Sequence, residues 1–215
     1  MENKILKIKV ILVGESKVGK TSLINQFINN EETITYLATM GSDKSLKNIN
    51  IKGKEVKLEI FDTVGQPDYR AVNKIFMKNT DIALIVYDMT NRETFQELTG
   101  WIKNVKEINQ SSDIILSIIA NKSDLYEERN ISEEEGKKFA ADNHSFFFET
   151  SAFDYDSINK VFNDLTEEYL IKKSNKKNTI NEKPLEKGIN NIDQVIIPEP
   201  VGSSLPKYRC CCSII

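Results

Sequence analysis

Between Gly14 and Thr21 the chain reads Gly-Glu-Ser-Lys-Val-Gly-Lys-Thr, with two glycines five residues apart followed by a lysine and a hydroxyl residue. Those residue types at that spacing suit a polyphosphate. Gly14 and Gly19 let the backbone wrap close to the anion and aim successive N–H groups inward. A helix beginning here adds the positive end of its dipole. Lys20 is then placed to reach the terminal phosphates, and the Thr21 hydroxyl to join the shell of a Mg²⁺ ion.

Three further stretches carry chemistry of the same kind. Asp62-Thr63-Val64-Gly65-Gln66 has a carboxylate that can hold Mg²⁺ through a coordinated water and a glycine N–H for a γ-phosphate. Gln66 can orient an attacking water without being a strong base. Asn121-Lys122-Ser123-Asp124 selects the base. The Asp124 carboxylate accepts from the N1–H and the exocyclic amine of guanine, whereas adenine offers an acceptor at N1 and has no 2-amino group. A site that loses a required hydrogen bond discriminates by about 10⁴. The Lys122 stem can lie along the purine face, Asn121 can tie this loop to the phosphate loop, and Ser151-Ala152 offers a backbone N–H to the guanine O6. Thr39 completes the set: its hydroxyl can join Mg²⁺ and its N–H the γ-phosphate only while that group is present. Loss of the phosphate would release the segments around Thr39 and Gly65 together.

These residues need a scaffold that brings them to one edge. Ile5–Val13 reads as a buried strand delivering the phosphate loop, and Lys20–Asn30 as a helix with Leu23, Ile24, Phe27 and Ile28 on one face. Glu31–Asp43 reads as a loop. Lys44–Asn50 and Glu55–Phe61 flank Lys52-Gly53-Lys54 as an antiparallel hairpin. Ile82–Tyr87, Ile114–Ala120 and Ser145–Glu149 read as further strands. Thr94–Ile108, a capped helix opening at Ser132 and a last helix from about Asp156 to Leu170 alternate with them. The expected fold is α/β of the phosphate-loop NTPase type. It has a six-stranded, mostly parallel sheet with one antiparallel strand and helices on both faces. Every motif then falls at the carboxyl ends of the strands, where such sheets bind ligands.

Composition agrees with one such domain. The 215 residues are 40% hydrophobic, enough for a nucleotide-binding domain over 1–171 and a flexible tail over 172–215. Met1–Lys9 interrupts its apolar residues with charges, so neither a signal peptide nor a membrane span is expected, and a cytosolic start follows. From Lys172 to Arg209 there are eight basic residues and four acidic ones, on a chain whose net charge is −3. A basic tail on an acidic body points to an anionic membrane surface and away from nucleic acid. All three cysteines stand together at Cys210-Cys211-Cys212, which excludes a disulfide framework and suggests modification.

Taken together, Ile5–Leu170 resembles the Ras superfamily of small GTPases. Glu15-Ser16, Tyr36-x-x-Thr39-x-Gly41-x-Asp43, Ile85–Asn91 and Phe95–Trp101 look most like the Rab branch. The resemblance implies that Gly14, Glu15, Ser16, Lys17, Val18, Gly19, Lys20, Thr21 and Ser22 bind the phosphates of GTP or GDP. It also implies that Thr21, Thr39 and Asp62 surround Mg²⁺ and that Gln66 positions the hydrolytic water. The ending Cys211-Cys212-Ser-Ile-Ile resembles a doubly geranylgeranylated terminus. Read instead as C-a-a-X, it would carry one prenyl group on Cys212, leaving Cys211 or Cys210 for palmitate. Val195-Ile196-Ile197 is similar to the patch that engages the prenylation escort. The implied protein is a monomeric switch for vesicle traffic on the cytoplasmic face of a membrane, with a cytosolic pool. Its implied partners are an exchange factor, a GTPase-activating protein, a GDP-dissociation inhibitor, the escort and GTP-dependent effectors.

Several positions depart from that pattern. Lys17 stands where a small residue is usual, Val64 where alanine is usual, and Pro67-Asp68 where Glu-Arg follows the glutamine. Glu32 replaces an aromatic, Lys44 a phenylalanine and Phe153 a lysine. Slow intrinsic hydrolysis and fast GDP release are the expected consequences. A nucleotide-loaded scaffold that hardly hydrolyses is the alternative they motivate, and an ATP-using phosphotransferase is a second alternative against which Asp124 argues.

Overall fold

The sheet is built outward from β1 (Leu6–Val13), whose last residues are fully buried because both of its neighbours and both faces are covered. In this computed structural model residues 5–29, 43–65, 70–109 and 113–181 are described. α1 (Lys20–Asn29) follows the phosphate loop, and β2 (Lys44–Ile51) and β3 (Lys54–Asp62) form the antiparallel hairpin. Its turn residues Lys52 and Gly53 both have positive φ (50° and 80°), the geometry that matches the twist of the flanking strands. β3 returns parallel to β1, β4 (Ile82–Asp88) lies on the other side of β1, and β5 (Ile115–Asn121) and β6 (Phe146–Thr150) continue outward. The strand order is β2-β3-β1-β4-β5-β6, the mostly parallel six-stranded sheet that the sequence predicts.

Two apolar layers fill the faces. One gathers Leu12, Leu58, Leu84, Phe27 and Phe162 beneath α1 and α6 (Tyr155–Asn181); the other gathers Ile11, Ile85, Leu98 and Trp101. β4 and β5 are buried at every position, which is why they read as continuous apolar runs.

The helices differ from expectation in three places. The span Thr94–Ile108 is two helices, α3 (Arg92–Gln96) and α4 (Leu98–Asn109), because the Glu97 N–H closes the first turn onto Glu93 and Phe95. α2 (Arg70–Met77) occupies a stretch for which no helix is expected, although Ala71, Val72, Ile75 and Phe76 recur at helical spacing; Met77 is buried while Ile75 is 67% exposed. α5 (Glu133–Asp142) starts as predicted, with Ser132 Oγ accepting from Glu135 N. α6 runs to Asn181 and not to Leu170, since no proline or glycine occurs between Leu170 and Pro184. The tail expected to be flexible from Lys172 is therefore helical as far as Asn181. The expected loop Glu31–Asp43, with Glu32 and Thr39 in it, lies outside the described residues except for Asp43, as do Gln66, Pro67, Asp68 and 182–215, which include the cysteines.

Candidate nucleotide site

The loop after β1 is held in a shape that only small residues permit at two points. Gly14 has φ 145° and a Cβ there would lie 2.1 Å from Val86 O; at Gly19, φ 97°, it would lie 2.3 Å from Asn121 Nδ2. A Cβ on Gly65 would lie 2.5 Å from the Ser16 amide nitrogen, so the end of β3 closes directly onto the loop. Lys17 takes the left-handed conformation as well, at φ 65°. A lysine there costs about 1–2 kcal/mol that a glycine would not, which gives a physical meaning to its departure from the family pattern.

Lys20 folds back across this loop. Its Nζ donates to Gly14 O and Glu15 O, both at 2.8 Å, and the residue is only 6% exposed. Burial pulls its pKa down to about 8, against the opposing attraction of Asp62 and Glu15. Beside it, Thr21 Oγ1 donates to Asp62 Oδ2 at 2.5 Å. Hydroxyl and carboxylate oxygens side by side are the hard donors that Mg²⁺ takes, and the loop's buried cation and close backbone approach suit a polyphosphate. The residues therefore fit both groups.

The base-recognition residues meet the loop from the β5 and β6 ends. Asn121 Nδ2 donates to Val18 O at 2.7 Å and its Oδ1 accepts from Thr150 Oγ1, so one buried amide links three strand-end loops. Asp124 Oδ1 accepts from Ser151 Oγ at 2.6 Å, and Ser151 Oγ in turn accepts from Phe153 N. The side chain of Ser151 thus orients the carboxylate, a role that reading its main chain alone misses. Ala152 packs against the core layer under α1 and α6. Of the expected site residues, Gly14 to Ser22, Asp62, Gly65, Asn121, Lys122, Asp124, Ser151 and Ala152 all stand at this one sheet edge.

Two supporting groups were not evident from motif spacing. Lys122, at φ 69°, places Nζ 2.5 Å from Asp88 Oδ2, and Asp88 also receives the Thr90 N–H and hydroxyl. The signal was present in the sequence, because Asp88 is an acid at the tip of an otherwise apolar strand. Arg129 forms a bidentate pair with Glu149 at 2.7 and 2.9 Å, clamping the segment after β5 to β6. Nothing local in the sequence pairs those two.

The model of the Ras family matches residues 9–171, the span that carries all of this geometry. The chain belongs to the Ras family. It is a Rab-like small GTPase, a GTP-hydrolysing switch of membrane traffic. The chain is 36% identical over 205 residues to the Ras-related protein RabQ of Dictyostelium discoideum, covering 95% of this chain and 97% of the relative. It is 34% identical over 204 residues to the Ras-related protein Rab11E of Lotus japonicus, covering 94% and 93%. For this Rab-like GTPase the scaffold alternative is not favoured. Guanine nucleotide and Mg²⁺ are what the family binds in general. Among the described residues no helix is long and apolar enough to cross a membrane.

Proposed function

We propose that this Rab-like GTPase binds GTP and GDP through Gly14–Ser22, Asp62, Gly65, Asn121, Lys122, Asp124, Ser151 and Ala152. The observation that carries this reading is the Asn121 bridge. It locks the base-selecting loop to the phosphate loop at Val18, so base and phosphates are gripped by one connected unit. Thr21, Asp62 and Thr39 would hold Mg²⁺, which when bound neutralises charge on the phosphate oxygens. Lys20 would meet the terminal phosphates with the donor that its two carbonyl partners leave over, a charge-assisted hydrogen bond where negative charge grows as the terminal phosphoryl group departs. Gln66 orients the water for in-line attack. Thr39 and Gly65 release their segments when the γ-phosphate is lost, and effectors that bind only the GTP form read that change.

The domain acts over 1–171 as a monomer and carries its anchor on 172–215, with prenyl groups at Cys211 and Cys212. An exchange factor, an activating protein, an escort and a GDP-dissociation inhibitor would complete the cycle between the cytosol and the cytoplasmic face of a membrane. Lys17, Val64, Pro67 and Glu32 slow hydrolysis and speed GDP release relative to other Rab-like proteins. Competition of GDP, GTP, ADP and ATP against a fluorescent guanine nucleotide tests the base reading. Only the guanine nucleotides compete at micromolar concentration, and Asp124→Asn loses at least about 100-fold in GDP affinity. Single-turnover hydrolysis beside a relative carrying the usual residues tests the slow rate; equal rates would contradict it.

A further inference from the structure

Glu15 belongs to the phosphate loop, yet its side chain leaves the loop to meet α4, an element with no part in the reading above. The indole N–H of Trp101, the one tryptophan of the chain, donates to Glu15 Oε1 at 3.0 Å. Trp101 is 3% exposed and shares its apolar layer with Leu98, Ile102 and Val105. A buried indole is donor-only and needs an acceptor, and an ionised carboxylate makes the strongest such bond. This acceptor comes from a loop 86 positions earlier in the chain.

The main chain of Glu15 is engaged too. Its carbonyl accepts Lys20 Nζ at 2.8 Å, and a Cβ on Gly65 would lie 2.5 Å from its carbonyl carbon. Lys20 and Gly65 are two of the groups assigned above to the terminal phosphates. Both therefore bear on one peptide, and the side chain of that residue is anchored in α4.

We propose that Trp101 is a positioning residue of the nucleotide site: its bond to Glu15 fixes the peptide that holds Lys20 and abuts Gly65, and it couples α4 to the nucleotide. The proposal rests on the nucleotide reading of the loop. Without the bond the Glu15 peptide can rotate, the Lys20 ammonium loses a fixed partner, and bound nucleotide leaves faster.

Dissociation of mant-GDP from the full chain, followed beside thermal unfolding, tests this. Trp101→Phe and Glu15→Ala should each speed dissociation about tenfold, the size of a hydrogen bond to a charged acceptor. The double variant should be no faster than the faster single one, because both changes remove the same bond. Glu15→Gln keeps an acceptor oxygen and should fall between wild type and Glu15→Ala. Effects that multiply in the double variant would overturn the proposal. So would a Trp101→Phe protein that melts earlier while releasing mant-GDP at the wild-type rate. A wild-type chain that takes up no mant-GDP would overturn the nucleotide reading itself, and the positioning role with it.

Discussion

At the scale of single residues, Lys20 carries a measurable consequence of its burial. Its pKa is pulled from 10.5 to about 8 because burial desolvates the ammonium, which donates to the Gly14 and Glu15 carbonyls, more than Asp62 and Glu15 attract it. Between those two values the unfolded chain holds a proton that the folded one has lost. Stability from this group therefore rises with pH across that window and is level below it, where both states are protonated. A polyphosphate beside the ammonium restores the charged form. GDP binding near pH 8 should thus take up roughly half a proton at this site. Calorimetric titrations in two buffers of different ionisation enthalpy read this directly: the apparent binding enthalpies should differ in the direction of proton uptake. Identical enthalpies would show that Lys20 is fully charged before the nucleotide arrives.

At the scale of elements, α1 and α6 lock the first face of the sheet through one aromatic pair. The rings of Phe27 and Phe162 stack with centroids 3.9 Å apart and planes 8° from parallel, both buried. Phe162→Ala should cost about 3–5 kcal/mol by removing that contact and leaving a cavity. Thermal unfolding of the variant should fall by roughly 10 °C; a shift of only a degree or two would mean that the two helices repack. Phe27 was legible beforehand, because Leu23, Ile24, Phe27 and Ile28 recur at the helical period. The strands were legible for a related reason, since β4 and β5 are buried on both faces and read as unbroken apolar runs. Elements whose cores are thin were not. α2 presents Ala71, Val72, Ile75 and Phe76 at the helical period, but it is only eight residues long and leaves Ile75 outside. The break at Glu97 depends on where one backbone N–H turns, which periodicity does not encode. The residues that meet at the candidate site were legible as a set, because the chemistry proposed for them dictates residue types at fixed spacings. The Trp101–Glu15 and Arg129–Glu149 contacts were not, because each joins residues far apart in sequence through tertiary packing alone.

At the scale of the whole molecule, the distribution of charge along the chain bears on the lipid anchoring proposed above. Four basic residues, Lys172, Lys173, Lys176 and Lys177, lie on the last turns of α6, and four more, Lys183, Lys187, Lys207 and Arg209, lie between it and Cys210 among four acidic ones, while the chain as a whole carries −3. Each basic residue near an anionic leaflet contributes about 1 kcal/mol at low salt, and that attraction is confined to a Debye length. One lipid chain gives only marginal, reversible attachment, whereas two hold firmly. The two contributions can be separated by salt. Chain prenylated at both Cys211 and Cys212 should stay on vesicles containing phosphatidylserine as the salt rises from about 0.1 M to 1 M, where the Debye length shrinks from about 10 Å to 3 Å. A Cys211→Ser chain carrying a single prenyl group should bind the same vesicles at low salt and come off across that range, because it depends on the basic segment for the remainder of its affinity. Neutral vesicles should hold the doubly modified chain and release the singly modified one at every salt concentration. If the singly modified chain kept its vesicles at 1 M salt, a third cysteine would have to be supplying the second lipid. Mass spectrometry of Cys210 in that sample would then show palmitate.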